Sequence, residues 1–156
     1  MNKLVLSLCL ASALALPAIA HARPVTLTTQ LKSYGGNGAY LAIYVTDAAG
    51  QYQRTLWVSG TKTKYYKNLR DWARGSGLKP SEFDGVSGAS VGSGRDLKVT
   101  VDLADALIDA GYEIRVDSAV EDGRDNSTDV RTPLTKSGAG KPSTGRGYVQ
   151  SFTYDM

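Results

Sequence analysis

The 156-residue sequence contains one cysteine, Cys9, and one histidine, His21. A single cysteine excludes an internal disulfide and any site built from several thiolates. A lone histidine near the N-terminus removes histidine triads and most zinc or copper sites. Charge of one sign is not in excess either: 18 basic residues face 15 acidic ones, for a formal net charge of +3. A nucleic-acid binder concentrates far more positive charge on one face, so that class is set aside. Long apolar runs are also missing, apart from the segment from Leu4 to Leu16.

That exception reads as an export signal. Lys3 supplies a positive start, Leu4 to Leu16 an apolar core broken only by Ser7 and Ser12, and Pro17 leads into Ala18-Ile19-Ala20. The segment is too short for a membrane span and ends in small residues, the pattern of a signal peptide. It occupies residues 1–22, with cleavage after Ala20 or Ala22. Cys9 lies inside the apolar core behind Leu8, where a lipid-attachment site would need a small residue. The expected product is a single periplasmic domain over 23–156 with no transmembrane segment and no cysteine. Its formal charge falls to +2 with the loss of Lys3. Roughly 135 residues suffice for one domain that buries about two-thirds of its unfolded surface.

Period-two alternation recurs in six places and points to a mostly β fold. Val25, Leu27 and Leu31 alternate with Thr26, Thr28 and Lys32; Leu41, Ile43 and Val45 alternate with Tyr40 and Tyr44. After the turn Asp47-Ala48-Ala49-Gly50, a return strand places Tyr52, Leu56 and Val58 on one face and Gln53, Thr55 and Trp57 on the other. Leu97 to Leu103 form another strand, and Tyr112, Ile114, Val116 and Val120 face away from Glu113, Arg115 and Asp117. Tyr148, Phe152 and Tyr154 mark the last strand. Strands with one apolar and one polar face imply antiparallel sheets covered on one side. The expectation is an immunoglobulin- or fibronectin-like antiparallel sandwich.

One segment departs from that period. Between Lys64 and Arg74, Tyr65, Leu69 and Trp72 recur at helical spacing, with Lys67, Arg70 and Arg74 opposite. This predicts a short amphipathic helix capping the core. Ala104 to Ala110 reads as a further helical turn ended by Gly111. About 122–147 the chain is rich in Gly, Ser, Thr, Asp and Asn, and the expectation is a long flexible loop. Gly138-Ala139-Gly140-Lys141 does not make a phosphate-binding loop: Thr135 replaces the first glycine and Pro142 follows the lysine. Gly35-Gly36-Asn37-Gly38 reads as a turn before a strand.

The stretch Asp84-Gly85-Val86-Ser87-Gly88-Ala89-Ser90 resembles the acceptor motif Asp-x-x-Ser/Thr-Gly-Ala-Ser/Thr of bacterial flavin transferases. The resemblance implies FMN joined to Ser90 through a phosphoester, with serine where threonine is the more usual occupant. The chain around it is similar to the bacterial periplasmic family called domain of unknown function 2271. That likeness rests on Tyr40 to Asp47 running into Arg54 to Trp57, on Tyr65 to Trp72, on Asp84 to Ser90 and on Gly111 to Val116. It covers roughly residues 24 to 120. It implies a small exported β domain whose relatives associate with flavin transferases and membrane-bound redox proteins.

The chemistry asks little of the acceptor. The transferase and its metal ion supply the activation, so no base is needed beside Ser90. The hydroxyl must be exposed on a thin chain, which Gly88 and Ala89 permit. Asp84 and Ser87 are expected to shape the loop through hydrogen bonds to nearby backbone. Trp57 and Trp72 are the candidate stacking partners of a flavin ring. Two readings follow: a redox carrier with FMN on Ser90 rather than an enzyme with its own substrate, or a cofactor-free sandwich that scaffolds a partner. A hydrolase is the weakest class, since Asp102, Asp105, Asp109 and Asp117 follow no spacing that would pair them.

Overall fold

In the computed structural model, which describes residues 21–156, the strands form two sheets. One contains β1 (Ala22–Leu31), β5 (Asp96–Ala104), β8 (Ser143–Thr144) and β9 (Val149–Asp155) in the order β5-β1-β9-β8, all antiparallel. The other contains β2 (Ala39–Thr46), β3 (Tyr52–Ser59), β4 (Ser87–Gly88), β6 (Glu113–Val120) and β7 (Asp125–Pro133) in the order β4-β3-β2-β6-β7. Among the described residues only the β3–β4 pair is parallel. The fold is a β-sandwich. The expected export signal, residues 1–22, falls outside the described residues as far as residue 20; Ala22, the later of the two expected cleavage positions, begins β1.

Two apolar clusters hold these layers. The first lies between the sheets and joins Val25 and Leu27 of β1, Leu41, Ile43 and Val45 of β2, Ile114 and Val116 of β6, and Phe152 and Tyr154 of β9. The second lies on the outer face of the five-stranded sheet. There Tyr40, Ala42 and Tyr44 of β2 meet Tyr66, Leu69 and Trp72. Strand β2 is therefore buried on both faces along its whole length.

The expected amphipathic helix is present in two pieces. A 3-10 segment, Thr63–Asn68, precedes α1 (Arg70–Ser76), and Leu69 between them has non-helical angles of φ −85° and ψ 74°. This break rotates the first piece, so Tyr66 rather than Tyr65 enters the core beside Leu69 and Trp72. Gly77 closes α1 in the left-handed conformation, φ 63°. At Ala104 to Ala110 the expected helical turn is only a 3-10 turn, Asp105–Leu107.

Three further expectations are corrected. The β2–β3 register slips between Ile43 and Tyr44, whose partners are Trp57 and Thr55. Leu56 is the extra residue of a β-bulge, so Leu56 enters the inter-sheet core while Val58 enters the outer one. Asp117 does not stand on a solvated face; it is fully buried. Lastly, 122–147 is not one long loop, because it contains β7 and β8. Part of its polar content is held within the fold: the buried Asp129 carboxylate accepts from Ser118 Oγ (2.5 Å), Gly147 N (2.6 Å) and Val149 N (3.1 Å). Val130 and Leu134 bury the segment's apolar side.

Candidate functional site

The motif from Asp84 to Ser90 forms an edge of the five-stranded sheet, and backbone bonds shape it. Pro80 starts a 3-10 turn over Pro80–Glu82, whose first carbonyl accepts from Asp84 N at 2.8 Å. Val86 N donates to Phe83 O (3.2 Å), and Gly85 between them takes φ +80°. A side chain is strained at that angle, which accounts for glycine there. The Phe83 ring anchors this turn on the outer core, edge-on to Tyr66 at 5.1 Å and to Trp72 at 6.1 Å.

Beyond the turn the chain joins the sheet at two places. Val58 N donates to Val86 O (2.9 Å) and Gly60 N to Gly88 O (2.8 Å), fixing β4 beside β3. Val91 then exchanges two bonds with Ala39 at the start of β2, 3.0 and 2.6 Å long. Ala89 and Ser90 form the short crossing between these anchors, and both are exposed. The Ser90 hydroxyl makes no side-chain hydrogen bond among the described residues.

Asp84 and Ser87 are also exposed, and among the described residues neither side chain makes the expected bond to backbone. The two tryptophans part company. Trp57 is half-buried and lies against the motif: a Cβ on Gly88 would stand 2.8 Å from its Cζ2. Its Nε1 donates to Ser59 Oγ at 3.2 Å. Trp72 is completely buried, its Nε1 donating to Thr55 Oγ1 (2.9 Å) and its ring packed on Tyr66 and Phe83. Trp72 therefore has no face open to a ligand, and of the two tryptophans Trp57 is the one beside the loop.

Sequence reasoning missed a carboxylate network beneath α1. Asp117 accepts from Tyr44 OH (2.9 Å), Thr128 N (2.7 Å) and Trp72 N (2.9 Å). The last bond caps the first turn of α1 from a neighbouring strand, since Leu69 offers no side-chain cap. Burial pushes the Asp117 carboxyl above its ordinary value, against the opposing pull of the Trp72 and Thr128 amides. Burial and the Asp117 charge likewise push the Tyr44 hydroxyl up. A usable signal was the apolar outer face of β2: its neighbour β6 had to be covered on that side too.

A cleft of about 500 Å³ opens at the far end of the same face, between α1 and the turn joining β2 to β3. Arg115 on its wall is held by Glu113, which also binds Arg131 at 2.7 Å. Burial raises the Glu113 carboxyl, but hydrogen bonds from Arg131 and Arg115 outweigh it and hold the group below its ordinary value. Burial and the bond to Glu82 push the Tyr52 hydroxyl up to about 12. Thr46 also lines the cleft, with a buried hydroxyl that has no partner among the described residues.

The family model described as "Predicted periplasmic protein (DUF2271)" matches residues 22–151. The chain belongs to that family. The match takes in both sheets, α1 and the acceptor-like loop, and ends within β9. No curated protein and no solved structure matches this DUF2271 chain. No helix among its described residues is long and apolar enough to cross a membrane.

Proposed function

We propose that this DUF2271 protein is an exported redox carrier with FMN esterified to Ser90, serving a membrane-bound redox protein. The observation that carries the reading is the state of the Ser90 hydroxyl: exposed, without a side-chain hydrogen bond, and held on a two-residue crossing between two β anchors. Such a hydroxyl enters another protein's cleft without breaking any bond of its own fold. In the modification, Ser90 Oγ attacks the FMN phosphorus of FAD. The bond to AMP breaks, AMP leaves, and the hydroxyl proton passes to a base of the flavin transferase. Once attached, the flavin supplies one- and two-electron chemistry.

The chain's own residues bind and orient. Ser90 is the tether, Gly88 and Ala89 keep its approach narrow, and the half-buried Trp57 offers an aromatic surface beside the loop. The test is co-expression with a periplasmic flavin transferase that modifies a control substrate, followed by intact mass and in-gel flavin fluorescence. The expected result is a mass gain of one FMN less water, abolished in Ser90→Ala. A product at the mass of its bare polypeptide, alongside a modified control, leaves a cofactor-free sandwich that scaffolds its partner.

A further inference from the structure

We infer that the turn Tyr34–Gly38 is the second half of the Ser90 site, with Gly38 the positioning residue that keeps the acceptor hydroxyl reachable. This rests on the reading of Ser90 as acceptor, but the geometry extends beyond the motif and has its own test.

The three glycines of this turn serve different ends. Gly35 and Gly36 have φ of +73° and +94°, and a Cβ on either would meet nothing within 4 Å. They are glycine for the sake of the backbone. Gly38 lies outside that left-handed region, so its backbone suits any residue. A Cβ there would stand 2.8 Å from Ser90 Oγ, 3.2 Å from Ser90 Cβ and 3.4 Å from Val91 O. Gly38 is glycine for the sake of Ser90.

The turn cannot easily retreat to relieve such crowding. Ser93 Oγ, three residues past the acceptor, accepts from both Tyr34 N and Gly35 N at 2.9 Å. Tyr34 OH donates to Asn37 O at 2.6 Å, and the Tyr34 ring lies 4.7 Å from that of Tyr148. Just after Gly38, the double bond between Ala39 and Val91 clamps the two chains together. A side chain at position 38 must therefore be accommodated by Ser90, whose hydroxyl is turned aside or covered. The other flank is built the same way, with Gly88 admitting the Trp57 ring. The acceptor crossing thus runs between two contacts, each made possible by a missing Cβ.

The test uses the exported protein, in which Ser90→Cys creates the only thiol once Cys9 has left with the signal. Labelling by a small thiol reagent then reports access to position 90 with no flavin involved. In the Ser90→Cys background, Gly38→Val is expected to slow labelling about ten-fold, roughly the factor one strained rotamer imposes. Gly38→Ala falls between. Ser93→Ala, which unties the turn, partly restores the rate in Gly38→Val. On wild-type Ser90, Gly38→Val cuts FMN loading by a similar factor, with the thermal midpoint near that of the parent. Equal labelling rates with glycine and valine at 38 overturn the inference, whatever happens with FMN. Slowed labelling in a protein that never takes up FMN upholds the positioning role and defeats the acceptor reading. If Gly38→Val does not fold, Gly38→Ala decides, because its backbone needs no unusual angle.

Discussion

The loop from Asp84 to Ser90 and the layer beneath α1 adjoin on one sheet, yet they are held by opposite means. Backbone bonds and glycines fix the loop: Val86, Gly88 and Val91 join the sheet through main-chain atoms, while Asp84, Ser87, Ala89 and Ser90 project outward. Under α1, side chains from distant segments fix the backbone. Asp117 of β6 gathers Tyr44, Trp72 and Thr128, and Thr55 receives the Trp72 indole. A site held by its main chain leaves its side chains free for chemistry with a partner. A site held by side chains has none to spare, and its polar groups serve stability.

The sharpest way to break this contrast is Trp72→Ala. Removing a fully buried indole is expected to cost about 3–5 kcal/mol in chemical denaturation. A loss under 1 kcal/mol would mean that α1 is not docked as described.

Next in size is the pH dependence of stability. Asp117 has a folded pKa above its ordinary 3.8, so the folded state holds that proton more tightly than the unfolded chain. Its contribution is full below the ordinary value, falls as pH rises through the folded pKa, and is level above it. Glu113 runs the other way: its contribution is present above the ordinary 4.5 and is lost as pH falls through its lowered folded pKa. Asp117→Asn should remove the first slope and keep the second. Melting midpoints measured across the acid range check this, and an unchanged profile removes Asp117 from the account.

The smallest effects belong to the loop. Asp84→Ala and Ser87→Ala should each shift stability by no more than about 0.5 kcal/mol, since both are exposed and neither side chain has a hydrogen-bond partner among the described residues. A larger loss in denaturation would show that the loop leans on side chains after all.

The same contrast explains what could be read from the chain alone. Alternating strands such as Val25 to Leu31 carry their period locally, and the small-residue stretch Asp84 to Ser90 is contiguous, so both were visible as local patterns. The burial of Trp72 was legible in its helical spacing with Leu69, but the placement of Trp57 beside Gly88 was not, because it depends on the bulge at Leu56 and on the pairing of β4 with β3. Asp117 resembled a solvated carboxylate because its partners lie in other segments. The polar run after residue 122 was read as loop for the same reason. Gly38 looked like any turn glycine, since its reason is a contact with a residue more than fifty positions away.

Strand β1 lies between β5 and β9 in its sheet, and it meets the last strand through pairs such as Thr26 with Asp155 and Leu27 with Tyr154. The four-stranded sheet therefore cannot zip shut until Val149–Asp155 has found its place beside a strand more than a hundred residues earlier. Phe152 and Tyr154 arrive last and complete the seal between the sheets. Long-range closure of this kind slows folding.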